Sequence, residues 1–147
     1  MAPDRTLVKL DAGEMDGMRL ALRTAGLPVD DLRPEITSVY RLDEAAGPVG
    51  WAAVERHGRE GLLRSVVVSD RRRGRGAGTD LVSKVMLAAA DDGIARLWLL
   101  TETAAPFFAR LGFTLSERES APAGIRATPE FMHVCPSSAH CMVRALG

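Results

Sequence analysis

The sequence predicts an α+β fold, a mixed sheet flanked by helices, and three observations carry that expectation. Short apolar runs of strand length alternate with stretches of helical spacing along the whole chain. Three of the runs follow one another in the first half with only turns between them. Two strand–helix units then occupy the middle, which makes the sheet mixed rather than purely antiparallel.

The elements follow in order. Residues 5–10 (RTLVKL) read as a first strand. A helix follows, with Asp11 as its cap and Glu14 at the capping-box position. Met15, Met18, Leu22 and Ala25 share one helical face, and Gly26 supplies the stop. LPVDDLRPE is a loop with two prolines. ITSVYRL and VGWAAVE form strands around the hairpin DEAAGP, and GLLRSVVVSD is the next strand. After a glycine-rich loop, DLVSKVMLAAADDG has helical spacing at Leu81, Val85 and Ala88/Ala89 and ends at Gly93. ARLWLLT reads as a buried strand. AAPFFARLG is a short helix stopped by Gly112. FTLSE and AHCMVRAL are the last strands, separated by a long loop over 117–138. The expected order is β-α-β-β-β-α-β-α-β-β.

Length and composition bound the function. A chain of 147 residues suits one domain over 1–147, and 46% hydrophobic residues are enough to build its core. Lys+Arg and Asp+Glu both number 19, so the net charge is zero. That argues against a bulk nucleic-acid binder, which needs many phosphate contacts on a basic surface. No apolar run reaches the roughly 20 residues of a membrane span, and MAPDRTLVKL has no signal-peptide core. Cys135 and Cys141 are too few for a disulfide framework. The expectation is a cytoplasmic protein with free thiols.

RRRGRGAGTD (71–80) concentrates four arginines and three glycines between a strand and a helix. A helix that starts after a glycine turn aims unpaired N–H groups and its positive dipole end at one spot. Glycines admit a ligand close to the backbone, and arginines add forked donors for phosphate. The loop lacks the Gly-Lys-Ser/Thr ending of a P-loop, having Gly78-Thr79-Asp80. Gly74, Gly76 and Gly78 give G-x-G-x-G, which is not the Rossmann G-x-G-x-x-G.

Arg73, Gly76 and Gly78 fill the pattern Arg/Gln-x-x-Gly-x-Gly/Ala, and here the chain resembles the GNAT family of N-acetyltransferases. The strand Val66–Val68 before the loop and FFARLGF (107–113) after it match that family's order. The resemblance implies the GNAT fold and acetyl-CoA as co-substrate. It places the coenzyme on Val66, Val67, Val68, Arg73, Gly74, Arg75, Gly76, Ala77, Gly78, Thr79, Phe107 and Phe108. The loop amides with Arg73 and Arg75 suit the pyrophosphate, and a strand edge suits the pantetheine amides. Many members carry a Tyr acid where this chain has Phe108. LLTETAAPFFARLGF is similar to the matching segment of the N-acetylglutamate synthase type. APAGIRATPEFMHVCPSSAHCMVRAL resembles GNAT proteins associated with arsenic resistance. The implied acceptor is a small amino-acid-like amine, extending to an arsenic-containing amino acid. A non-catalytic acyl-CoA or arsenical-binding protein on the same fold is the alternative.

No catalytic side chain stands out. Arg64, a charge in an apolar strand, is either a fork for a substrate carboxylate or an ion-pair partner of Glu55 or Glu102. Tyr40 is expected as a pocket wall. Glu102, at a strand end, is a candidate for binding the amine, against a solvated helix-start carboxylate. Thr101 is a candidate substrate contact that also suits a helix cap. His57, His133 and His140 are scattered, with no zinc spacing. Cys135 and Cys141 are either soft ligands for a trivalent arsenical or incidental thiols. The long loop before the last strand is compatible with a homodimer.

Overall fold

The computed structural model describes residues 4–11, 15–26, 35–69, 76–129, 131–132 and 139–146. In chain order these form β1 (Thr6–Lys9), α1 (Asp16–Thr24), β2 (Thr37–Glu44), β3 (Gly47–His57) and β4 (Glu60–Val68). Next come α2 (Ala77–Asp91), β5 (Arg96–Thr101), α3 (Ala105–Arg110) and β6 (Thr114–Ser116). A 3-10 turn (Arg118–Ser120), α4 (Ala123–Arg126) and β7 (His140–Ala145) complete the described chain. The strands make one sheet in the order β1-β2-β3-β4-β5-β7-β6. Only the central β4–β5 pair is parallel, which is the mixed α+β sheet expected.

Alternation along the strands sends side chains to two faces. On one face Tyr40, Leu42, Ala52, Val54, Leu63 and Leu99 pack under Leu81, Val82 and Val85 of α2. Those three α2 residues are fully buried, each contributing roughly 1.5–3 kcal/mol of apolar burial. On the other face Val39, Trp51, Ala53 and Val67 meet Met18 and Leu22 of α1. Beside them Leu62, Trp98 and Cys141 are covered by Ile125 and Phe131.

Three local expectations change. The capping box is not used by α1: the helix starts at Asp16, its N-cap is Met15, and no side chain caps it. Asp11 lies too far upstream, Glu14 lies outside the described residues, and the burial of Met18 and Leu22 holds the helix instead. Its stop is as expected, with Gly26 at φ 73. The second helix begins at Ala77, so Gly78 and Thr79 belong to its first turn rather than to the loop.

The span 117–138 is not a plain loop where described. Ile125 is fully buried, and Arg118 donates to the carbonyls of Phe131 (3.3 Å) and Ala139 (3.5 Å). Arg126 donates to Ala121 (2.9 Å), and the Thr128 hydroxyl donates to Ile125 (2.7 Å). These bonds satisfy a backbone that covers the sheet without a long helix.

Candidate active site

The sheet opens at its centre. β4 and β5 pair only at Glu60↔Arg96, Gly61↔Leu97 and Leu62↔Trp98. Beyond that point β4 stays with β3 as far as Gly50↔Val68, while β5 stays with β7 as far as Thr101↔His140. Close approach at the base of the wedge needs Gly61, where a Cβ would stand 2.9 Å from Leu97 Cδ2. Above it, the β4 edge from Leu63 to Val68 has no ladder partner on the β5 side, so its amides are available to an extended ligand.

A bulge sits on that edge. Ala53 pairs with Arg64 and Trp51 with Val67, so β4 advances three residues against two on β3. Ser65 takes up the extra length at φ 58, the one non-glycine residue at positive φ among those described. The bulge returns Val66 and Val68 to the α2 face and Val67 to the α1 face.

The N-terminus of α2 faces the mouth of the wedge. Gly76, its N-cap, adopts φ 77, a left-handed conformation that favours glycine. At Gly78 a Cβ would lie 3.4 Å from the Phe107 ring and 3.7 Å from Val68 Cγ2, which places the first turn of α2 against β4 and α3. Ala77 is buried and Thr79 exposed. The first-turn N–H groups have no intrahelical acceptor and carry the positive end of the helix dipole. Asp80 is engaged by Lys84 (2.6 Å) and Arg5 (3.6 Å), and Arg5 also donates to Glu44 (2.8 Å). Arg5 therefore ties the start of α2 to the β1–β2 edge. Arg73, Gly74 and Arg75 lie outside the described residues, as do His133 and Cys135.

The structure brings Val66, Val67, Val68, Gly76, Ala77, Gly78, Thr79 and Phe107 to one place. Phe108 is different: it is 7% exposed and packed edge-on between Phe107 (5.0 Å) and Phe113 (5.6 Å), a core ring.

The acceptor candidates are dispersed. Tyr40 is in the core under α2, not on a pocket wall, because β2 alternation points it with Leu42 toward that helix. Burial, then nearby Asp92, push its hydroxyl pKa up, against a Ser38 hydrogen bond. Arg64 is on the opposite face, where its Nη1 lies 3.5 Å from Glu55 Oε2 and both side chains are 1% exposed. Of the alternatives for Arg64, the Glu55 pairing is the one the fold makes. Glu55 Oε1 also bonds His57 Nε2 at 2.8 Å. Thr101 accepts the Ala104 N–H (3.0 Å) at the start of α3, and Glu102 is exposed. Cys141 is buried under the Ile125–Phe131 segment, and burial raises its pKa.

Sequence reasoning missed three features. The Ser65 bulge left no sequence signal, since serine does not announce a positive φ. The link of His57 to the Glu55–Arg64 pair was hinted at only by the i, i+2 spacing of Glu55 and His57 on one strand face, whereas the Glu55 pairing was among those expected for Arg64. The cleft formed by α1 with Trp51 and Val67 depends on helix placement and left no motif.

Comparison with known proteins agrees with this geometry. The model of the acetyltransferase (GNAT) domain matches residues 35–115, more than half of the chain. A search of curated proteins gives no match. Among solved structures, N-acetylglutamate synthase from Neisseria gonorrhoeae, complexed with coenzyme A and N-acetyl-glutamate, superposes with a TM-score of 0.80 at 20% identity. The match covers 100% of this chain and 36% of that one, so the chain spans about a third of the synthase. Rv2747 from Mycobacterium tuberculosis, in complex with CoA, matches with a TM-score of 0.78 at 18% identity, covering 97% of this chain and 99% of that one. The ribosomal-protein-S18-alanine N-acetyltransferase from Escherichia coli matches with a TM-score of 0.69 at 14% identity, covering 98% and 95%. At these identities the structures speak for the fold. The strand wedge, its bulge, the glycine-led helix beside it and the family match together lead to one conclusion: the chain belongs to the acetyltransferase (GNAT) domain family.

Proposed function

We propose that the chain transfers acetyl from acetyl-CoA to the primary amine of a small amino-acid-like molecule. The observation that carries this is the parting of β4 from β5 after Leu62↔Trp98, with the Ser65 bulge on the freed edge and the start of α2 at its mouth. The bound coenzyme supplies an activated acetyl thioester. The amides of Val66, Val67 and Val68 hold its amide arm, and those of Gly76, Ala77, Gly78 and Thr79 receive its pyrophosphate. Arg73, Gly74 and Arg75 join them on the strength of the sequence pattern. Phe107 packs beside the same turn. An N–H near Val67 stabilises the developing oxyanion.

No tyrosine stands at 108, so holding amine and thioester together carries most of the rate, worth at best roughly 7–11 kcal/mol. Thr101 and Glu102 sit at the β5 end of the wedge, where a backbone or carboxylate contact to the amine fits their placement. The same reading takes 1–147 as one domain of a cytoplasmic protein, with a homodimer compatible with it. No helix of the described residues is long and apolar enough to cross a membrane. The likeness of 121–146 to arsenic-resistance GNAT proteins supports extending the acceptor to an arsenic-bearing amino acid. Phe108 favours a second reading, a binding protein without turnover.

Thiol release from acetyl-CoA, followed across amino acids that include glutamate and an arsenic-bearing analogue, separates the two. Turnover with an amino acid supports the transferase. Coenzyme binding without turnover of any amine would establish the second reading.

A further inference from the structure

We propose that Arg5 is a positioning residue for the coenzyme: it holds the Asp80 carboxylate toward the β1–β2 edge and offsets its charge, so that the first turn of α2 can receive phosphate. The proposal rests on the transferase reading above, in which that turn takes the pyrophosphate. It adds an affinity determinant from the opposite end of the chain.

Asp80 stands where an acid matters. Its N–H bonds the Gly76 carbonyl at 3.0 Å, so it follows directly on the amides of Ala77, Gly78 and Thr79. Three residues of helix rise only roughly 4.5 Å. An acid in the first turn favours the empty helix, because it meets the positive end of the dipole. The same acid opposes an anion arriving at that end. Neutralising the acid from the side reconciles the two demands.

Arg5 is built to do so. Its Nε donates to Glu44 Oε2 at 2.8 Å, and its Nη1 lies 3.6 Å from Asp80 Oδ2. The Arg5 side chain is 4% exposed, that of Asp80 27%. Arg5 is thus a buried cation, anchored by Glu44 and presented to Asp80, and salt screens such a charge less than an exposed one. Lys84, one turn along α2, bonds the other oxygen, Oδ1, at 2.6 Å. Both oxygens of Asp80 are engaged, one from within its helix and one from the chain's first strand region. With Arg5 removed, this group of four keeps two carboxylates and only Lys84 against them, beside the turn that must take phosphate.

The test is calorimetric titration with coenzyme A at low and high salt, with Tm measured alongside, for the wild-type chain, Arg5→Gln, Arg5→Lys and Asp80→Asn. Arg5→Gln is expected to weaken coenzyme A about two- to tenfold, and Arg5→Lys to keep most of the affinity. Asp80→Asn is expected to bind about two- to threefold more tightly while its Tm holds or falls, since the helix loses its first-turn acid. Affinity and stability then part company, which a purely structural ion pair does not produce. Both effects shrink as salt rises. Unchanged affinity in Arg5→Gln, or weaker binding in Asp80→Asn that follows its Tm downward, overturns the proposal and leaves the transferase reading intact. If Arg5→Gln does not fold, Asp80→Asn decides alone: tighter binding supports the proposal, and equal or weaker binding overturns it. A wild-type chain with no affinity for coenzyme A overturns both.

Discussion

Arg64 offers the sharpest check on how this sheet is held together. Its Nη1 lies 3.5 Å from Glu55 Oε2, and each side chain is 1% exposed. The Glu55 carboxylate also accepts from His57 Nε2–H at 2.8 Å. In Arg64→Met the volume is nearly kept, but a buried carboxylate loses its cation. Breaking a buried pair from one side costs about 3–5 kcal/mol. In a chain of this size each kcal/mol moves Tm by roughly 2–4 °C, so Arg64→Met should fall by about 6–20 °C.

The double variant Glu55→Gln/Arg64→Met leaves no buried charge and should recover most of the loss, since apolar replacement of both partners is often near neutral. Thermal and urea unfolding of the four proteins give the cycle. A Tm change of Arg64→Met under about 2 °C, accompanied by a raised KM for the amino acid, would refute the argument and return Arg64 to the substrate.

Three other outcomes are expected. Ser65→Gly relieves the φ 58 strain and should gain up to about 1 kcal/mol in urea unfolding, whereas Ser65→Val should lose stability; the opposite order would disprove the strained bulge. Phe108→Tyr places a hydroxyl in a 7% exposed core position and should cost about 1–3 kcal/mol without shifting the pH–rate profile; a new alkaline limb in kcat would instead show that the ring reaches the thiol. Tyr40 and Cys141 both have raised pKa values, chiefly from burial. Folded chains then hold protons that unfolded ones release, so stability is full below the ordinary values and is lost as pH climbs toward the raised ones. Tm should decline above about pH 8.5, less steeply in Cys141→Ala with Tyr40→Phe; identical slopes would contradict this.

Much of the fold was legible because its signals are local. Strand runs, Gly26, Gly93 and Gly112 as helix stops, and the apolar face of α2 are each written within a few residues. The turn proposed for the coenzyme was legible for the same reason: Gly76 at positive φ and Gly78 against Phe107 are demands of one turn. The placement of the candidate acceptor residues was not. Tyr40 and Arg64 are both polar groups on central strands, and only the sheet register tells which face each takes. Register sent Tyr40 under α2 and Arg64 to Glu55.

The sequence by itself determined the order of the strands and of α1 to α3, the mixed sheet and the glycine-led start of α2, since periodicity and turn chemistry are short-range. Tertiary structure alone decided where β4 leaves β5, how Ser65 bulges, and which residues α1 leaves open beside Trp51. Those features arise between segments distant in the chain, whose packing and hydrogen bonding exist only once the sheet has formed.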